Sequence, residues 1–294
     1  MTVPKKYKGV LLIITSAFCF AVMAVFVRLS GDLPTFQKTF FRNFVALFFA
    51  LWVLKKEHIP LRPAREKNLL PLTVRALAGT LGMIGNFYAI DRMVLSDALM
   101  LNKMSPFFAI VFSFIFLKEK LTLFQAGAVA AAFGGSLFII KPSFANVDIL
   151  PALAGFLGGM GAGLAYACVR YLGQHGEKGA FIVVFFSAFS CLFCLPFLIA
   201  GYQHMTAVQL LCLLGAGAAA AGGQFSITAA YSCAPAKEIS VYDYSQLLFS
   251  TALGFFLFGD VPDGWSFLGY FIIIATAVAN FIYNDRKDKK EETP

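Results

Sequence analysis

Charge is what this sequence has least of. Only 14% of its 294 residues are Asp, Glu, Lys or Arg, against 59% hydrophobic residues and a mean hydropathy of +0.75. A soluble domain carries about 25% charged residues. There is too little polar surface here to clothe a water-soluble globule, so lipid must be the solvent. Long polar stretches are also missing, which excludes an appended soluble domain. Histidine is scarce: His58, His175 and His204 all fall in expected loops, with no His-Glu-x-x-His or similar ligand spacing. No Gly-x-x-x-x-Gly-Lys-Ser/Thr loop is present, which argues against direct ATP drive. The six cysteines (Cys19, Cys168, Cys191, Cys194, Cys212, Cys233) all fall in apolar stretches. Cys191-x-x-Cys194 has no second pair, so packing is favoured over zinc or redox chemistry. Nothing calls for a metal or a cofactor.

What is abundant is uninterrupted apolar sequence. Residues 9–27, 121–140, 149–169, 179–236 and 264–284 contain no charged side chain. A bilayer core of about 30 Å needs roughly 20 apolar residues per helix, and backbone amides in lipid must bond within their own segment. The expected fold is therefore all-α and polytopic. Ten spans are expected, over 9–30, 35–54, 69–90, 94–117, 121–140, 149–172, 180–200, 207–231, 235–258 and 264–284. The net charge of +8 could point to nucleic acid, but its placement excludes that reading. Lys5, Lys6, Lys8, Lys55, Lys56, Arg62, Arg65, Lys67, Lys118, Lys120, Lys178, Arg286, Lys287, Lys289 and Lys290 fall on one side of the expected membrane. The other side has little more than Arg92 and Lys141. This positive-inside pattern puts both termini in the cytoplasm of a cell-membrane protein. The N-terminal lysines and apolar run resemble a signal peptide. The run is long and lacks a clear cleavage site, so an uncleaved first span is expected.

An internal repeat emerges on shifting the chain by 141 residues, which lays 78–120 on 219–261 without a gap. Gly82 meets Gly223, Ala89 meets Ala230, Asp97 meets Glu238, Phe114 meets Phe255 and Glu119 meets Asp260. A shift of 142 brings Val27-Arg28 onto Val169-Arg170. The chain divides into two five-helix units, 1–143 and 144–294. Five is odd, so the second unit enters the membrane upside down. Inverted repeats mark secondary transporters, whose substrate site lies mid-membrane between the halves.

The stretch from Arg75-Ala-Leu-Ala-Gly to Phe87-Tyr-Ala-Ile carries a more specific resemblance. It continues through Leu95-Ser-Asp-Ala-Leu, Ser105-Pro-Phe-Phe, Leu117-Lys-Glu-Lys-Leu-Thr and Gly127. Together with Phe41-Arg42-Asn43-Phe44, it is similar to the EamA repeat of the drug/metabolite transporter superfamily. The second half departs from the pattern, with Asp260 where that family often has Glu and Leu247 opposite Pro106. The resemblance implies ten spans around a central cavity lined by spans 1, 3, 4, 6, 8 and 9. It leaves the substrate open among amino acids, vitamins, drugs and other metabolites.

Ionised groups in lipid cost about 2.5–3.5 kcal/mol on insertion scales, so each needs a reason. Arg28, Lys38 and Arg170 lie near helix ends and can snorkel. Arg42 and Arg75 lie deeper, and either brace the bundle, pair with a loop acid or face a cavity. Asp97 and Glu238 occupy first turns, where an acid satisfies free amides and suits the helix dipole. Asn102 and Lys103 lie roughly 12 Å into span 4, and Asp243 and Tyr244 take the equivalent places in span 9. The expected arrangement sets Asn102 opposite Asp243, with Lys103 close enough to form an intramembrane pair. Tyr242, Gln246, Asn86, Tyr88, Gln224 and Tyr166 complete the candidate pathway. Gly155, Gly159 and Gly163, with Gly127, Ala131 and Gly135 and with Gly215, Ala219 and Gly223, form small-residue faces for close helix packing.

The function expected is secondary active or facilitative transport of a small polar or amphipathic metabolite by alternating access, with export favoured. A channel or structural membrane protein is the alternative; an embedded enzyme has no catalytic cluster in its favour. Protons and a second copy of the chain are candidate partners besides substrate and bilayer. Asp243 or Glu238 would suit proton coupling, because buried acids are the groups able to exchange protons near neutrality.

Overall fold

The computed structural model describes residues 5–92, 95–142, 149–259 and 261–292. Asp260 and the side chain of Asp97 lie outside that description. All regular structure among the described residues is helical. The helices are α1 (Lys5–Leu29), α2 (Thr35–Lys56), α3 (Leu69–Arg92), α4 (Leu95–Asn102), α5 (Ser105–Leu117) and α6 (Leu123–Ile140). They continue as α7 (Ile149–Gln174), α8 (Gly179–Ala200), α9 (Ala207–Cys233), α10 (Ala236–Ile239), α11 (Ser245–Phe258) and α12 (Gly264–Glu292). A 3-10 turn, Ser240–Tyr244, joins α10 to α11.

Seven helical segments are long and apolar enough to cross a membrane: Tyr7–Leu29, Ala98–Leu117, Leu123–Ile140, Ile149–Gln174, Gly179–Ala200, Ala207–Cys233 and Gly264–Arg286. The chain is a multi-pass membrane protein. Three expected spans fall outside that set for visible reasons. Gln37, Lys38, Arg42 and Asn43 dilute the first half of α2, Arg75 and the charged end dilute α3, and the ninth span is broken.

Neither span 4 nor span 9 is the continuous helix expected from the sequence. Span 4 stops at Asn102 and resumes at Ser105, with Pro106 in the first turn of α5. Proline has no amide hydrogen for the carbonyl four residues back, and its ring crowds that carbonyl, so an α-helix cannot run through Asn102. Span 9 has no proline at the equivalent Leu247, and instead tightens into 3-10 geometry over Ser240–Tyr244.

Small residues set the packing. α3 crosses α7 so closely that a Cβ on Gly82 would lie 2.9 Å from the Gly158 carbonyl oxygen, and one on Gly158 would lie 2.9 Å from the Gly82 oxygen. Gly159 and Gly163 seat α4 and α5 on α7; a Cβ at Gly159 would come within 2.4 Å of the Leu101 oxygen. Gly223 admits the Phe20 ring of α1 against α9, and Gly135 meets Gly269 between α6 and α12. Gly127 departs from the expected stripe, since nothing lies within 4 Å of its Cβ position. α6 and α9 both start on capping boxes, Thr122 with Gln125 and Thr206 with Gln209.

Polar stitches tie chain-distant segments at each end of the bundle. Tyr7 of α1 donates to Asp285 of α12, so the two ends of the chain share a face. On that face Glu177 accepts from the Ala64 amide and from Asn68 Nδ2. Arg170 Nε lies 2.9 Å from Glu119 Oε1; it forms a largely buried ion pair, and does not snorkel as expected. On the opposite face Gln37 Nε2 donates to the Gln203 oxygen at 2.9 Å, and the Gln203 amide returns a bond to Gln37 Oε1 at 3.0 Å. Lys141 there pairs with Asp263, which also caps α12 through the Ser266 amide. That lysine contact, helped by Ser266, holds the exposed Asp263 carboxyl at about 2, below its usual 3.8.

Candidate functional site

The two helix breaks meet in the bundle interior. Breaking span 4 frees the Lys103 carbonyl; Tyr244 Oη donates to it at 3.0 Å. Lys103 Nζ in turn donates to the Asp243 backbone oxygen at 3.4 Å, to Asp243 Oδ2 at 3.2 Å and to Gln246 Oε1 at 2.7 Å. The lysine and aspartate side chains retain only 6% and 8% of their surface. Each break thus supplies the partner that the other lacks, and the two charges are satisfied by one another in lipid.

Other expected residues sort themselves around this centre. Tyr166 of α7 stacks on Tyr231 of α9, centroids 4.8 Å apart and planes at 9°. Tyr231 Oη lies 3.2 Å from Ser240 Oγ in the 3-10 turn. Tyr166 is also within electrostatic reach of Asp243. Gln224 is buried beside Gly223, whose carbonyl accepts from Ser16 of α1. Asn86 of α3 leaves its Oδ1 buried with no partner.

Four more of the expected residues have neighbours of their own. Asn102 ends α4 with its Cα 3.6 Å from the Cβ position of Gly159 on α7, and Lys103 makes the expected pair with Asp243. Residues one apart on a helix diverge by about 100°, so the register at the break decides which of the two reaches across. Tyr242, in the 3-10 turn, has Asn280 of α12 as its polar neighbour. Tyr88 sits beneath the Arg92 guanidinium, 4.1 Å from ring centroid to Cζ, near the end of α3. Glu238 lies in the first turn of α10, as expected, and its carbonyl accepts from Asn280 Nδ2 at 3.1 Å. Two hollows lie outside this centre. One of about 320 Å³ is lined by Glu57, His58, Arg62 and Glu177, and one of about 520 Å³ by Leu248, Phe255, Phe267 and Tyr270. No group of His, Cys, Asp and Glu fit to hold a metal occurs among the described residues.

Family comparison gives this geometry its setting. The EamA-like transporter family model matches residues 7–141. Similarity to named proteins runs over both halves of the chain. The pseudopaline exporter of Pseudomonas aeruginosa is 29% identical over 274 residues, covering 92% of this chain and 95% of the exporter. An uncharacterised transporter of Helicobacter pylori is 27% identical over 279 residues, covering 92% and 93%. A riboflavin transporter of Vibrio cholerae is 28% identical over 195 residues, covering 64% and 62%. One crystal structure superimposes with a TM-score of 0.79 over 94% of this chain and 98% of its own, at 14% identity, a likeness of fold alone. The EamA-like segment and these relatives point to transport, and not to enzymatic chemistry.

Proposed function

We propose that the chain is a carrier of ten spans in two inverted five-helix repeats, 1–143 and 144–294. It moves a small polar or amphipathic metabolite across the cell membrane by alternating access, outward, with both termini cytoplasmic. The observation that carries this reading is the reciprocal contact of two broken spans through Lys103 and Asp243. Discontinuous helices meeting at mid-membrane are where secondary transporters build their sites.

The packing supports the repeat. If α1 to α6 map onto α7 to α12, the α3–α7 contact exchanges with α9–α1, α5–α7 exchanges with α11–α1, and α2–α8 and α6–α12 map onto themselves. All of these pairs pack in the structure. Lys118 and Gly259, 141 positions apart, both end their helices in left-handed conformation, at φ 54° and 72°. A pseudo-twofold with equivalent halves offers two arrangements of similar energy. Rocking between them breaks the Glu119–Arg170 tie on one face or the Gln37–Gln203 exchange on the other. A permeating solute must compete for Lys103, Asp243 or Gln246, which is how binding and movement would be coupled.

The names of the relatives make riboflavin a first solute to try. Purified protein in proteoliposomes should show saturable uptake and counterflow of its substrate, whereas a channel conducts without saturation. Lys103→Ala and Asp243→Asn, reconstituted to equal levels, should each lose most of this flux. Undiminished transport by both would remove these residues from the pathway. If a pH gradient leaves flux unchanged and no protons move, exchange or facilitated passage replaces proton coupling.

A further inference from the structure

Lys103 has its carboxylate, but two other cations of the bundle interior do not. Among the described residues Arg42 of α2 has only sulfur as acceptor, its Nε beside Met23 Sδ and its Nη1 beside Met83 Sδ. Thioethers are weak, uncharged acceptors. Arg75 of α3 is 2% exposed, stacks 3.8 Å over the Phe186 ring and leaves Nε buried without a partner. The two guanidinium groups lie within electrostatic reach of one another and share Tyr166 as a neighbour. No acid among the described residues acts on either.

Of the three readings the sequence left open for these arginines, pairing with a loop acid finds no partner among the described residues. Bracing the bundle also fits poorly, since a structural arginine gains its stability from carboxylates or carbonyls, and an unpaired charge in low dielectric is costly. Arg42 and Tyr166 are only partly buried, as are Phe20, Met23 and Met83. Arg42 of α2 has Phe20 and Met23 of α1 and Met83 of α3 against it. Planar guanidinium forks held by displaceable sulfur and ring contacts are matched to an oxyanion, which they can grip in two-pronged fashion.

We propose that Arg42 and Arg75 form an oxyanion subsite, so that the transported solute is a small organic anion whose carboxylate or phosphoryl group binds there. Tyr166 covers that group and, being in reach of Asp243 as well, links the subsite to the Lys103–Asp243–Gln246 cluster, which meets the rest of the molecule. Among the described residues, Lys103, Arg42 and Arg75 stand against the one carboxylate of Asp243, an excess of positive charge that an anion balances. The inference rests on the carrier reading and specifies its substrate class.

The test is thermal unfolding of the purified full chain in detergent, at matched ionic strength. Malonate and glycerol 3-phosphate serve as probes, each against an uncharged twin, malonamide and glycerol. At least one anion should raise the wild-type midpoint by about 3 °C or more beyond its twin. The arm that responds tells carboxylate from phosphoryl recognition. Arg42→Gln and Arg75→Gln should abolish the response while unfolding no lower than wild type without ligand; Arg42→Lys should keep part of it. A response that survives Arg42→Gln overturns the subsite. So does a wild-type protein stabilised by neither anion, a result that needs no variant to fold. Saturable counterflow of a neutral solute without oxyanion binding would sink this inference and spare the carrier. Oxyanion binding without passage of any solute would do the reverse.

Discussion

Removing one member of the Lys103–Asp243 pair should damage the protein far more than removing both. At 3.2 Å and an effective dielectric of about 20, the Coulomb attraction between the two groups is about 5 kcal/mol before the cost of stripping their water. That cost is largely paid, as both side chains are more than nine-tenths buried. Lys103→Met strands a carboxylate, and Asp243→Asn strands an ammonium that keeps Gln246 Oε1 at 2.7 Å. Each single change should therefore lower stability by about 3–5 kcal/mol, the aspartate change at the lower end. The double variant carries no stranded charge and should lie within about 1–2 kcal/mol of wild type. Denaturant unfolding in detergent micelles, run on all four proteins, closes the cycle. A coupling energy below about 1 kcal/mol would refute the reasoning, because residues that satisfy one another in lipid cannot contribute independently.

Further outcomes follow from other contacts. Gly158→Leu should lose most folded, monodisperse protein in size-exclusion chromatography, by roughly 3 kcal/mol or more, since its first added carbon would lie 2.9 Å from the Gly82 oxygen. Gly127→Leu, with nothing within 4 Å, should be neutral in the same assay. The Asp263 carboxyl has a folded pKa of about 2 against its usual 3.8, so its contact stabilises above the higher value and is lost as pH falls from about 4 to about 2. Thermal melts over that range should show the decline in wild type and a reduced one in Asp263→Asn. Glu119→Gln and Arg170→Gln should alter solute flux by similar factors, with the double variant little different from either, if their pair is one tie between halves. Reporter tags on both termini should label from the cytoplasm; labelling on opposite faces would contradict the Tyr7–Asp285 contact.

Lipid as solvent, helix as the secondary structure and the approximate bounds of seven apolar spans were legible in the sequence, because hydrocarbon tolerates little charge and no unpaired amide. The small-residue face of span 6 was legible as well, since close helix approach requires residues without bulk, and Gly159 and Gly163 do seat α4 and α5. Lys103 and Asp243 stood out because a charge so far from either bilayer surface needs a partner. The chain alone did not decide the rest of that contact, since it depends on angular register at the breaks: Lys103 also reaches the Asp243 backbone oxygen and Gln246, and Tyr244 caps the Lys103 carbonyl. Nor did it separate Arg170, which found Glu119, from Arg42 and Arg75, which found only sulfur and aromatic faces. One-dimensional pattern fixes the depth of a side chain along a helix, but its partners depend on how helices from distant parts of the chain cross.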